Sequence, residues 1–258
     1  MTMFLQHQID TAIMRLREFE PDDGYYLAFS GGKDSIVIKQ LAIEAGVKFD
    51  AHYSVTTIDP PELVHFIRFQ HQDVAYDMPD EPFLKALIKN GFPLRHARWC
   101  CKKYKENGGS GRLVVTGVRW AESAGRSKRR MVEHCLQDDS KNFLHLIIDW
   151  SDDDVWAFIR DRKLPYCSLY DEGWKRVGCL FCPMAYYKQR QHQAKRFPRH
   201  AKAFIKAFKK LYQDRLINNP DAVSRWKSGE EIFDWWIGEG NVGSKDDVSD
   251  ESQVMLFE

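Results

Sequence analysis

The chain has 258 residues, 43% of them hydrophobic and 29% charged, and a formal net charge of +1. This composition supports a globular fold with a sizeable core and excludes a disordered, collagenous or strongly polyionic protein. No apolar run approaches the roughly 20 residues of a spanning helix, and the first residues lack the basic start and long apolar centre of a secretory leader, so a cytoplasmic protein without a membrane partner is expected.

Phe4, Leu5, Ile9, Ile13, Met14 and Leu16 recur at near-helical spacing and predict an amphipathic helix over 4–19. The apolar run 25–29 predicts a buried strand, followed by a helix to Ala45 that Gly46 stops. A strand is expected over 49–55, a helix over 62–72, a short strand over 73–76 and a helix over 82–89. The β-branched run 112–116 reads as another buried strand, and 143–148 as a further one. Ser151 with Asp152, Asp153 and Asp154 caps a helix bearing Val155, Trp156, Phe158 and Ile159. Beyond residue 183 the pattern is helical or irregular, and 241–258 reads as a loose acidic tail. Alternating strands and helices predict an α/β fold, a Rossmann-like parallel sheet flanked by helices with right-handed crossovers. The expected division is a nucleotide-binding domain over 1–182 that includes the cysteines, a helical extension over 183–240, and the tail.

Charge is unevenly spread. Residues 182–215 hold ten Lys or Arg and one acid, whereas 230–258 hold nine acids and one base. The preferred reading is two solvated faces that attract each other; the alternative is contact with nucleic acid.

Ser30-Gly31-Gly32-Lys33-Asp34-Ser35 joins the first predicted strand to its helix. Two glycines permit positive φ and close backbone approach to a ligand. The free N–H groups and positive dipole end of the new helix make an anion site. Lys33 can reach a phosphate as a point charge, and Asp34 can anchor a metal ion shared with phosphate oxygens. This is not the Walker loop, whose glycine stands four residues before Gly-Lys. In parallel sheets ligands lie beyond the carboxyl ends of the strands, which would put this loop, Thr57-Ile58-Asp59 and the segment after Thr116 on one rim.

Of six cysteines, Cys179 and Cys182 form a CxxC and Cys100 and Cys101 are adjacent. A disulfide framework is not expected in a chain without a secretory signal. The two pairs match a [4Fe–4S] site, with zinc as the rival and Lys102, Lys103 and Lys105 nearby to offset thiolate charge. Cys135 and Cys167 read as plain buried residues. In the loop 117–126, Arg119 and Arg126 can grip phosphate oxygens in fork geometry, and Ser123 can donate a hydrogen bond.

Six elements in order between Tyr25 and Pro183 resemble the phosphoadenosine phosphosulfate reductase family, adenine nucleotide α-hydrolase-like proteins of the PP-loop ATP pyrophosphatase superfamily. They are the 30–35 hexapeptide; Cys100-Cys101 with Lys105; Gly-x-Arg-x-x-x-Ser-x-x-Arg at 117–126; Asp149 to Trp156; Leu164 to Gly173; and Gly-Cys-x-x-Cys-Pro at 178–183. The resemblance implies that Ser30, Gly31, Gly32, Lys33, Asp34, Ser35, Gly117, Arg119, Ser123 and Arg126 hold the nucleotide's phosphates or sulfate. It also implies that Cys100, Cys101, Cys179 and Cys182 carry a [4Fe–4S] cluster, and that Lys105 sits between cluster and substrate.

Two departures matter. The family's reductases attack with a cysteine in a C-terminal Glu-Cys-Gly-Leu-His-like motif, whereas the last cysteine here is Cys182. Lys33 also fits the complete loop of ATP pyrophosphatases, which reductases often carry in degenerate form. The leading expectation is an ATP pyrophosphatase that adenylates an acceptor using Mg²⁺ with ATP, with Lys33, Asp34, Arg119 and Arg126 catalytic. Its setting would be sulfur transfer or nucleic-acid modification, with a cysteine desulfurase as sulfur donor and DNA or tRNA as partner. A second reading is sulfonucleotide reduction through Cys135, Cys167 or a thioredoxin-like partner's thiol. A third is a non-catalytic nucleotide- or nucleic-acid-binding module in which Lys188, Arg190 and Lys195 meet phosphates.

Overall fold

The computed structural model describes residues 3–95, 97–136 and 138–238; the acidic tail expected over 241–258 lies outside them. In chain order the strands are β1 (Tyr25–Ala28), β2 (Phe49–Ser54), β3 (Ala75–Asp77), β4 (Leu113–Thr116), β5 (Val132–His134) and β6 (Asn142–His145). The helices are α1 (Met3–Glu18), α2 (Lys33–Ala45), α3 (Pro61–Gln70), α4 (Phe83–Asn90), α5 (Trp99–Tyr104), α6 (Asp152–Asp161), α7 (Tyr187–Arg196), α8 (Pro198–Asn218) and α9 (Gly229–Ile237).

The described chain packs into two compact units. One comprises residues up to Val55, Pro61–Asp77 and Asn107–Gly178, and holds the whole sheet. The other comprises Thr56–Pro60, Met78–Glu106 and Cys179 onward. The packing thus divides the chain differently from the expected boundary at residue 182. Segment 78–106 joins the helical part because α4 lies against α8, so all four paired cysteines belong to the second unit.

In the first unit the strand order is β3-β2-β1-β4-β6-β5. Neighbours are parallel from β3 to β6, with Leu27 opposite Ala51 on one side and Val115 on the other. β1 is central and apolar on both faces, as a covered parallel sheet requires. The connections leave β1 in opposite directions, which opens a crevice at the carboxyl ends of β1 and β4. Buried Tyr25 donates its hydroxyl to the Leu16 carbonyl at 2.7 Å and so ties α1 to the sheet.

The expected Rossmann-like sheet flanked by helices is present, and two of its details are corrected. The sheet is mixed: β5 pairs antiparallel with β6, and its short polar sequence Val132-Glu133-His134 carries no apolar run to announce it. The strand expected over 143–148 ends at His145, where the Ile148 N–H turns back to the His145 carbonyl at 3.3 Å. Leu146, Ile147 and Ile148 are buried in that turn. A short apolar run does not reveal from periodicity alone whether it continues a strand or fills a core.

In the second unit, Ala201, Phe204, Ala207, Phe208 and Leu211 form the buried stripe of α8. Phe92, Phe208 and Trp236 meet there edge to face, with Phe208 and Trp236 centroids 5.9 Å apart. An exposed ion pair between Lys209 and Glu230 joins α8 to α9, while most of the acidic block lies outside the described residues.

Two imidazoles are buried in the first unit. Burial, with Lys39 beside one and Arg129 beside the other, lowers His71 and His145 to about 4. In an unfolded chain both titrate near 6.5. As pH falls from 6.5 to about 4, the unfolded chain binds protons that the native state refuses, so stability is lost across that window. The expected loss is on the order of 2 kcal/mol per imidazole. Thermal melts from pH 7 to pH 4 should show it, and His71→Gln should flatten the profile.

Candidate functional site

In the first unit the β1–α2 turn has the build of an anion cradle, a glycine pair leading into a helix N-terminus. Gly31 adopts φ +72°, and a Cβ there would lie 2.7–2.8 Å from Leu63 and Ile67 carbons. Gly32 stands at the helix cap with extended backbone. Ser35 donates its hydroxyl to the Gly32 carbonyl at 2.8 Å, and the Gly32 N–H reaches Ser30 Oγ at 3.4 Å. The Lys33 N–H, first of the helix, donates to the Tyr170 hydroxyl at 2.9 Å. A phosphate arriving at this helix end competes with that hydroxyl.

Around the cradle runs a charge network, buried at Lys33 and Arg119 and open to solvent at Asp152. Lys33 Nζ contacts Asp34 at 3.1 Å and Asp152 at 2.9 Å. Arg119 Nε donates to Asp34 at 2.8 Å, its Nη2 to Asp152 at 2.8 Å, and its Nη1 to the Trp150 carbonyl at 3.2 Å. Burial opposes ionisation of Asp34, but Lys33, Arg119 and Arg176 together hold its carboxyl below the usual range. The loop after β4 closes upon α2 because Gly117 has no side chain: a Cβ there would sit 2.9 Å from Asp34 Cβ and 3.1 Å from the Asp34 backbone.

Arg119 therefore spans α2 and α6 with each of its nitrogens committed, whereas Arg126 keeps N–H groups to spare. Arg126 is buried and pairs through Nη1 with Glu122, while Nε and Nη2 have no hydrogen-bond partner. Ser123, also buried, accepts the Arg126 N–H at 3.2 Å. Ser30, Gly31, Gly32, Lys33, Asp34, Ser35, Gly117, Arg119, Ser123 and Arg126 all fall in this unit. Sequence reasoning missed Tyr170, Asp152 and Arg176 as members. Asp152 reads as one of three capping acids, and only the fold shows which of them turns toward Lys33.

The second unit carries the cysteine site. Cys100, Cys101, Cys179 and Cys182 line one cavity together with Lys105 and Thr56. α5, which the sequence did not announce, presents the first pair. The CxxC turn is pinned on every side: the Leu180 N–H donates to the Ile58 carbonyl at 3.0 Å, the Phe181 N–H to Gln193 Oε1 at 2.7 Å, and Trp236 Nε1 to the Phe181 carbonyl at 2.9 Å. Phe181 itself sits at φ +56°. Burial raises Cys179 to about 12 against the pull of Lys105, while a hydrogen bond from Cys100 outweighs burial and lowers Cys101 to about 6. Arg98 Nη1 lies 4.0 Å from Cys101 Sγ. Lys105 is lifted above its usual range despite burial, by Cys179, Asp59, Cys101 and Cys182. Among the described residues, no group of three or more His, Cys, Asp or Glu is arranged to hold a single metal ion.

Thr57 and Asp59, expected on the nucleotide rim, belong to this second unit. The Thr57 hydroxyl accepts the Phe83 N–H at 2.9 Å, and Asp59 accepts the Thr56 hydroxyl at 2.6 Å. Lys103 is tied to Glu81. Lys188 and Lys195 are exposed, but Arg190, expected with them as a nucleic-acid contact, is fully buried and cannot meet a phosphate backbone. Burial lowers Arg190 to about 10.

A central strand, a glycine turn into a helix and an arginine–serine loop on the next strand define a recognised domain. The phosphoadenosine phosphosulfate reductase domain matches residues 24–185. The chain belongs to that family. An adenosine 5'-phosphosulfate reductase of Staphylococcus epidermidis is 28% identical over 203 residues, covering 71% of this chain and 79% of that protein. An uncharacterised protein of Methanocaldococcus jannaschii is 27% identical over 186 residues, 67% of this chain. The chain spans 39% of the length of that archaeal relative and 41% of a second. The crystal structure of the phosphoadenylyl-sulfate reductase of Candida auris superposes with a TM-score of 0.50 at 18% identity, over 69% of this chain and 96% of that one, and shows the shared fold. Members of the family are enzymes acting on adenine nucleotides. Among the described residues, no helix is long and apolar enough to cross a membrane.

Two substitutions test the cradle. Gly117→Ala should press on backbone that cannot yield, lowering stability by about 1–3 kcal/mol and weakening binding of a fluorescent ATP analogue. Tyr170→Phe should leave the Lys33 N–H open, so that calorimetry finds pyrophosphate bound several-fold more tightly.

Proposed function

We propose that the chain is an ATP pyrophosphatase that transfers adenylyl from MgATP to an acceptor, in sulfur transfer or nucleic-acid modification. The observation that carries this reading is the cradle itself: a positive-φ glycine turn, a helix N-terminus and a buried Lys33, with Arg126 holding two buried donor nitrogens that have no partner. Buried guanidinium N–H groups without acceptors favour an anion. An acceptor oxygen would attack the α-phosphorus while the bridging oxygen leaves on pyrophosphate with the bonding pair. Lys33 and the loop N–H groups would stabilise the charge growing on that leaving group. Arg126 would hold the α-phosphate in line, and Arg119 would act through Asp34 and Asp152 by fixing them. The ionised Asp34 would be the loop's donor for the Mg²⁺ that ATP brings, an ion that takes one or two carboxylates besides phosphate oxygens.

The donor set of the second unit fits a cluster. Four thiols share a cavity with Lys105, and a [4Fe–4S] group is held by four such thiolates, one to each iron. Cys100, Cys101, Cys179 and Cys182 would hold a [4Fe–4S] group, which supplies sulfur or electron chemistry when bound.

Sulfonucleotide reduction is the second reading, favoured by the likeness to the staphylococcal reductase. Cys167 is fully buried, and burial raises its thiol, which makes it a poor nucleophile. The half-buried Cys135 is the better candidate.

Anaerobically purified protein should release pyrophosphate from ATP, and Lys33→Ala should slow release by about 10²–10³-fold. Absence of release with DNA, tRNA or a cysteine desulfurase would overturn the proposal. Sulfite formed from a sulfonucleotide with thioredoxin, and lost in Cys135→Ser, would establish the second reading instead.

A further inference from the structure

Arg190 lies on α7, the helix that holds the CxxC turn. Gln193, on the same buried face one turn later, accepts the Phe181 N–H, and the Ala185 N–H returns to the Cys182 carbonyl at 3.0 Å. The Arg190 side chain is 0% exposed. Its Nη2 donates to the Gly238 carbonyl at 3.2 Å, while Nε and Nη1 are buried with no hydrogen-bond partner. The charged groups that act on it are Cys182, attractive as a thiolate, and Arg95, repulsive. A buried guanidinium without an anion is among the costliest arrangements a core can contain.

Other cations reach the same thiols. Lys105 acts on Cys101, Cys179 and Cys182, and Arg98 acts on Cys101 and Cys182. Lys105 lines the cavity, whereas Arg190 is not among its lining residues and acts electrostatically on Cys182 from within the core. This much positive charge around apolar-walled sulfurs suits an occupant that is an anion and gains negative charge when reduced.

We propose that Arg190 is a positioning residue that serves as counter-charge for the thiolate-bound [4Fe–4S] group and raises its reduction potential. The proposal rests on the cluster reading above. Positive charge and N–H groups beside cluster sulfurs favour the reduced, more negative form. In the iron-free protein the same guanidinium is a liability. Arg190 therefore acts with opposite sign on the empty and the loaded protein, which a structural role through Gly238 does not produce.

The test uses the full chain, purified anaerobically and reconstituted with iron and sulfide. Arg190→Met keeps volume and removes charge; Arg190→Lys keeps charge and loses the planar fork. Iron content, visible absorbance, midpoint potential by redox titration, and melting temperature with and without iron are read for each. Arg190→Met should melt at or above the wild-type temperature when iron-free, gain less on loading, and shift the potential to more negative values. Arg190→Lys should fall between the two. Loss of loading in Arg190→Met with the iron-free fold intact, and loading retained in Arg190→Lys, would also support the assignment. An unchanged potential in loaded Arg190→Met overturns it, as does equal destabilisation of empty and loaded protein; if Arg190→Met does not fold, a wild-type potential in Arg190→Lys overturns it. Failure of the wild-type chain to take up iron overturns the cluster reading itself, and this is measured before any substitution.

Discussion

The first unit is organised around a carboxylate that its neighbours keep ionised. Asp34, just inside α2, is held by Lys33 and by Arg119, and Arg119 extends to Asp152 and the Trp150 carbonyl. One guanidinium thus connects the turn after β1, the loop after β4 and the start of α6. Burying Lys33 and Arg119 is tolerable only because each has opposite charge in contact, and removing a carboxylate partner would strand them. Gly117 belongs to the same constraint, since its bare backbone lets the loop come close enough for Arg119 to reach Asp34. The geometry of the anion cradle follows from this network more than from the glycines alone.

Both units contain an arginine whose N–H groups outnumber its acceptors. Arg126 in the first and Arg190 in the second are buried, each with two nitrogens lacking a partner. Native interiors rarely leave such groups unsatisfied, and when they do the reason is often chemical rather than structural. Arg119 illustrates the contrast. It resembles Arg126 in sequence setting, yet its nitrogens are consumed inside the protein and its part is to hold others in place.

Much of the fold is legible in the residues. The apolar runs 25–29 and 112–116 become β1 and β4, and the hexapeptide between strand and helix lies where a turn into α2 was expected. What escaped has identifiable causes. β5 is an exposed polar edge strand with no period to detect, and α5 is one short helix whose residues are chosen for the cavity rather than for amphipathicity. Thr57 and Asp59 were read from the rule for strand ends, and the chain passes into the helical unit directly after β2, at Thr56, a division with no local signature. Arg190 looked like part of a basic stripe, because charge along a helix does not disclose which face is covered. Pairing of residues distant in sequence, as of Asp152 with Lys33, leaves no local trace.

The cysteine cavity draws on separate stretches of chain: Thr56 and Ile58, Phe83 of α4, the helix α5 with Lys105, the turn at 179–183, and Trp236 of α9. Joining the two thiol pairs closes a loop of roughly 80 residues, and that closure costs entropy before any contact repays it. The backbone of the 30–35 turn, by contrast, is closed by bonds among its own residues, such as that from Ser35 to the Gly32 carbonyl. During synthesis the adjacent pair on α5 therefore emerges long before its CxxC counterpart, and its thiols wait without the shelter of α7 and α8. Handling of those nascent thiols becomes a matter of timing, and the order of emergence makes the site's maturation a late event in the life of the chain.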